Sequence, residues 1–133
     1  MIHKMVEISK EAKIILYINI IVGFIYIIQY LILPDILYAG EPLYNPHNTR
    51  LIGGTILALV IGGLIALKRG ELETLKPIWE LVIIWFLIVV ILDIAALTYM
   101  PYTPIQVARQ WIAIIVLIVL LVLNIMVYNR AVK

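Results

Sequence analysis

The sequence predicts an all-α polytopic membrane protein, with four transmembrane helices in an up-down bundle forming one domain over residues 1–133. Three observations lead there. The chain is 65% hydrophobic and only 14% charged, with mean hydropathy +1.11, whereas soluble domains run near 45–50% apolar and about 25% charged. Four apolar runs recur along it, at about 14–33, 51–67, 78–98 and 111–128, and a spanning helix needs about 20 such residues rising about 1.5 Å each. Eight tyrosines and three tryptophans gather mostly near the ends of those runs, where membrane-interface belts place aromatic rings.

Each run has readable ends. The first, Ile14–Leu33, closes at Pro34-Asp35 and is too long for the apolar region of a signal peptide. The charged stretch HKMVEISKEAK before it reads as a helical lead-in extending that span. The second, Leu51–Leu67, stops at Lys68-Arg69-Gly70. The third, Ile78–Thr98, follows Pro77, a residue suited to the first turn of a helix. The fourth, Trp111–Tyr128, ends in Asn129-Arg130. Lysine and arginine concentrate at the N-terminus (Lys4, Lys10, Lys13), in the 68–77 loop (Lys68, Arg69, Lys76) and in the tail (Arg130, Lys133). The positive-inside rule then predicts a cell-membrane protein with both termini cytoplasmic and the 34–50 and 99–110 loops outside.

Several function classes lack their residues. Without cysteine there is no disulfide, thiol nucleophile or Cys–zinc site. A net charge of +2 is too small to imply a nucleic-acid partner. His3 and His47 fall on opposite sides of the bilayer, so no metal site is expected. Ser9, the only serine, precedes the first span. The glycines of IGGTILALVIGG lie within a helix rather than after a strand, which excludes a phosphate-cradling loop. The expectation is a chain with no catalytic residues and no cofactor.

The bilayer is the first partner, and lipid is as apolar as leucine, so helix association rests on close packing and polar contacts. Gly54, Ala58, Gly62 and Ala66 recur at every fourth residue of the second span and form a small-residue stripe, widened by Gly53 and Gly63. It predicts either packing within the bundle or self-association, or contact with another membrane protein. On the first span Asn19, Gly23, Tyr26 and Tyr30 share one face, and Asn19 lies at the depth of Asn124, so an amide pair is expected between the first and fourth spans.

Asp93 is the charge left inside the membrane, about six residues before the outer end of the third span and so roughly 9 Å below the interface. Charge at such depth costs up to about 2.5–3.5 kcal/mol on insertion scales, and a partner is expected. Arg50 and Arg109 stand at the predicted starts of the second and fourth spans, where the helix dipole disfavours cations. A clamp between Asp93 and an arginine, Arg109 first, accounts for both oddities, with Asp35 and Glu41 offering further pairing. The alternative is an outer-face ligand or proton site comprising Asp93, Arg109, Arg50 and Glu41 with Gln29, Tyr30, Tyr99 and Tyr102.

An apolar first helix ending in proline, a variable outer loop and then NTRLIGGTILALVIGGLIALKR resembles the DoxX-like group of small four-helix membrane proteins, most clearly over residues 34–69. The resemblance carries over Arg50, Gly53 and Gly54. It implies the four-helix fold and an accessory role, since some members of that group are subunits of quinone-linked oxidoreductases. This chain has no cysteine or redox ligand for electron transfer of its own. The reading favoured by the sequence is therefore a non-catalytic accessory or scaffolding subunit. The alternatives are a binder or carrier of a lipophilic small molecule such as a lipid or quinone, and a proton or ion transporter subunit using Asp93.

Overall fold

The computed structural model describes residues 6–132. Its elements are α1 (Lys10–Ile27) continued by a π-helical turn (Ile28–Ile32), the short α2 (Pro34–Leu37), α3 (Pro46–Arg69), α4 (Leu72–Tyr99) and α5 (Pro104–Ala131), and no strand occurs among the described residues. Four of them, α1 with its π turn, α3, α4 and α5, are long and apolar enough to cross a membrane. The protein is a small multi-pass membrane protein. Each long helix packs on two others: α1 on α3 and α5, and α4 on α3 and α5. The bundle is thus a four-membered ring. We call the end holding residues 6–9, the α3–α4 turn and the C-terminal end of α5 the basal end, and the opposite one the distal end. His3, Lys4 and Lys133, used in the sequence reading, lie outside the described residues.

At the basal end the described part of the lead-in, residues 6–9, is not helical. The Ser9 hydroxyl accepts from the Ala12 N–H at 3.2 Å, and a serine N-cap competes with continued helix. Residues 6–8 instead pair with the α3–α4 turn: the Ile8 N–H donates to the Gly70 carbonyl at 3.3 Å and the Leu72 N–H to the Val6 carbonyl at 2.9 Å. Gly70 caps α3 at φ 73, a left-handed conformation costly for residues with a β-carbon. Helix α4 then starts at Leu72, so Pro77 lies inside the helix and not in its first turn. Leu72, Leu75 and Trp79 explain this, because all three are buried on one face and their burial outweighs the single hydrogen bond that proline forfeits.

The distal ends also differ from the predicted bounds. Helix α3 begins at 46 rather than 51, because the Asn45 side chain accepts from the Asn48 N–H at 3.1 Å ahead of Pro46. Helix α5 begins at 104 rather than 111, with Thr103 and Gln106 forming a reciprocal capping box at 3.3 and 2.9 Å. Arg50 and Arg109 therefore stand beyond the first turn, where the dipole's effect has faded. Pro34 has no N–H to offer the Tyr30 carbonyl, and α1 ends in a π turn in which the Leu33 N–H reaches back to the Ile28 carbonyl at 2.9 Å.

Three clusters make the core. The basal one unites all four long helices through Ala12, Ile15, Leu16, Ala66, Leu75, Trp79 and Val127. Above it the buried residues divide into two paired clusters, with partly buried Trp85 of α4 against the first and Val22 of α1 against the second. Ile20, Ile27, Ile56 and Val60 join α1 to α3, while Phe86, Val90, Leu117 and Leu120 join α4 to α5. The outward faces are dominated by isoleucine, leucine and valine, including Ile21, Ile61, Ile91 and Ile112. Such surfaces suit lipid as the solvent.

Candidate ligand cavity

A cavity of about 560 Å³ separates the α1–α3 pair from the α4–α5 pair. Its basal floor is an amide knot. Asn124, fully buried on α5, donates to the Asn19 Oδ1 at 2.9 Å and accepts from the Asn19 Nδ2 at 2.7 Å. Its Oδ1 also accepts from the Trp79 Nε1 at 3.0 Å, and its Nδ2 donates to the Leu120 carbonyl at 2.7 Å. The expected amide pair is thus present, with a tryptophan as an unforeseen third member. Every polar atom in the knot is used, and no buried side-chain polar atom among the described residues is left unsatisfied.

The walls are aromatic and aliphatic. Asn19, Gly23, Tyr26 and Tyr30 all line the cavity from α1, as their shared face requires, and Trp85 and Phe86 line it from α4. Tyr26 stacks on Tyr30 with centroids 5.7 Å apart, Tyr30 on Tyr38 at 6.0 Å, and Tyr38 leans on Tyr44 at 6.0 Å. This tyrosine ladder runs from the cavity into the distal loop. Ile52 on α3 and Leu92 on α4 line the cavity while 50% and 60% exposed. The cavity therefore opens between α3 and α4 onto the lipid-facing surface.

Asp93 lines the distal part of the same cavity, and Tyr99, Tyr102 and Gln110 join it there. The predicted clamp is absent. No arginine or lysine nitrogen comes within 4.0 Å of the Asp93 carboxylate among the described residues. Arg109 instead holds Glu41 through two parallel hydrogen bonds of 2.8 Å and lies 5.0 Å from the Tyr38 ring centroid. Arg50 pairs with Asp35 at 2.5 Å, and the Tyr44 hydroxyl donates to the same carboxylate at 2.6 Å. The physical reason lies in the loop. Residues 34–45 fold back over the distal end and deliver two carboxylates to the arginines in a wet setting, where pairing does not require drawing a guanidinium into the apolar interior. Gln106 fastens the loop further by donating to the Pro42 carbonyl at 2.7 Å. The arginine beside Glu41 and the tyrosine and arginine beside Asp35 hold both carboxyls below the usual carboxylate range. Burial pushes the Tyr38 and Tyr102 hydroxyls up.

The sequence-predicted site is thereby divided. Asp93, Tyr30 and Tyr99 meet at the main cavity, with Tyr102 beside them. Gln29 and Arg109 line a second recess between α1 and α5, on the other side of Tyr26 and Tyr30. Arg50 and Glu41 belong to the distal loop's ion pairs. The small-residue stripe is divided too. Ala66 is buried and Gly62 faces Ile78, but Ala58 is exposed and Gly54 has open space where a side chain would go. The close approaches are elsewhere. A β-carbon on Gly53 would stand 2.9 Å from both the Leu31 Cβ and N, and one on Gly23 would stand 2.7 Å from the Val60 Cγ2. Glu80, a second charge within the predicted third span, is exposed and accepts from the Tyr128 hydroxyl. Among the described residues no cluster of His, Cys, Asp and Glu is placed to hold a metal ion. No family model, curated protein or solved structure matches the chain.

Proposed function

We propose that this protein binds or carries a lipophilic small molecule, taken up sideways from the membrane into the cavity between the α1–α3 and α4–α5 pairs. The observation that carries the reading is the cavity itself. Its volume of about 560 Å³ lies within the roughly 300–1,000 Å³ of small-molecule sites, and it has their usual make-up of apolar walls with a few convergent polar groups. The helices supply the reason it stays open: tight basal packing around Trp79 and Asn124 fixes the ring, while the distal halves pair off two by two.

The accessory-subunit reading keeps one observation in its favour. Gly54 and Ala58 point away from the bundle core, and small residues on a lipid-facing surface admit another helix closely. Membership of the DoxX-like group is likewise proposed, on the NTRLIGG stretch and the four-helix architecture. A cell-membrane location with both termini cytoplasmic follows from the lysine and arginine count and puts the distal loop outside.

Native mass spectrometry of the protein released from mild detergent tests the binder reading. The expected result is a retained lipophilic adduct that disappears in Ala113→Trp, which fills the cavity wall. A bare protein mass under conditions that preserve lipid contacts overturns it.

A further inference from the structure

We propose that the ligand of this cavity is an amphipathic cation, held by the Asp93 carboxylate and admitted in exchange for that group's proton. The inference rests on the cavity reading and adds the chemistry of the occupant.

Asp93 supplies the only acid or base with a full formal charge in the cavity lining; no lysine, arginine or histidine is there. The other polar groups of the lining toward this end are hydroxyls and an amide: Tyr26 and Tyr30 from α1 and its π turn, Thr49 from α3, Gln110 from α5, and Tyr99 and Tyr102 at the distal end of α4 and beyond it. Gln110 donates to the Asp93 main-chain carbonyl at 3.4 Å. The nearest arginine along α5, Arg109, already has both its terminal nitrogens on Glu41. An ionised carboxylate in a largely apolar cavity, with hydroxyls and an amide near it but no cation, has two remedies, a proton or a cation from outside. An anionic ligand is repelled, and a purely apolar one leaves the charge unanswered. An ammonium or phosphonium with a hydrophobic body satisfies both parts of the site, since tyrosine and tryptophan faces attract cations and the aliphatic walls take the body. When the cation enters, the Asp93 proton leaves to water beside Tyr99, which lines the distal part of the cavity and is 70% exposed, so charge in the cavity stays balanced.

Tetraphenylphosphonium, size-matched tetraphenylborate and neutral triphenylphosphine oxide serve as probes, titrated calorimetrically into the detergent-solubilised protein. The expected result is saturable phosphonium binding whose affinity rises with pH, by up to tenfold per unit while Asp93 still holds its proton. Asp93→Asn should lower phosphonium affinity at least tenfold and flatten the pH profile; Asp93→Glu should retain both, and borate should not bind the wild type. Equal binding of phosphonium and phosphine oxide, unaltered by Asp93→Asn, overturns the cation inference while leaving the cavity reading intact. Binding of none of the three overturns the cation inference and removes the cavity reading with it.

Discussion

Replacing Asn124 by leucine is the sharpest perturbation of the fold, because it cuts the knot that holds three spans together at the cavity floor. Three side-chain hydrogen bonds between helices disappear: two to Asn19 and one from Trp79. Interhelical hydrogen bonds in membranes average about 0.6 kcal/mol and reach about 1.7, so the three together are worth about 2–5 kcal/mol. The upper part of that range applies if the Trp79 N–H and the Asn19 amide find no substitute, since a buried group left unsatisfied costs about 1–3 kcal/mol. Helicity followed through SDS titration in mixed micelles measures the loss. Asn19→Leu should also destabilise alone, yet add little in the Asn124→Leu background, with a coupling of about 1–2 kcal/mol. A change below about 0.5 kcal/mol in Asn124→Leu, or strict additivity of the two, refutes the knot.

The glycines give a contrast on neighbouring positions: Gly53→Ala should cost about 1–3 kcal/mol by overpacking against Leu31, whereas Gly54→Ala, facing open space, should be silent in the same unfolding assay. Asp93→Ala and Arg109→Ala should combine additively within about 0.5 kcal/mol because no contact joins them, while Glu41→Ala and Arg109→Ala should be coupled by about 1 kcal/mol or less for so exposed a pair. Glu41 has a lowered folded-state pKa, first through its hydrogen bonds from Arg109. Its contribution is therefore complete above the ordinary glutamate value near 4.3 and lost as pH falls through the lower folded value. An NMR titration of the Glu41 carboxyl, with proteolysis of the 34–45 loop over the same range, should show the loop loosening only below about pH 4.

The spans were legible because hydropathy over 20 residues is a coarse quantity that tertiary contacts do not alter. The Asn19–Asn124 pair was legible for a related reason: two amides at equal depth in a medium without water have few other partners. Face assignment on α3 was harder. Spacing of four residues shows that Gly54, Ala58, Gly62 and Ala66 share a stripe, but not which stripe turns inward; the buried set is Gly53, Ile56, Val60, Gly63 and Ala66, one step round the helix. The arginine partners were out of reach because depth along a span says nothing about a loop folding back over it. One signal was present and unused: Thr103-Pro104-Ile105-Gln106 has the spacing of a capping box. It places the start of α5 seven residues before Trp111 and takes Arg109 out of the first turn. The cavity left no trace in the pattern, since it arises from how pairs of helices separate above a shared base.

Quenching of tryptophan fluorescence by a brominated lipophilic probe in detergent addresses the cavity most directly. Trp79 and Trp85 line it, whereas Trp111 is about half exposed on the outer surface of α5. A lateral binding cavity predicts a saturable quenching component that survives Trp111→Phe, shrinks in Trp85→Phe and is lost in Ala113→Phe, which narrows the cavity without adding a fluorophore. Quenching that rises linearly with probe in all four proteins, as partition into the micelle alone would give, contradicts the account.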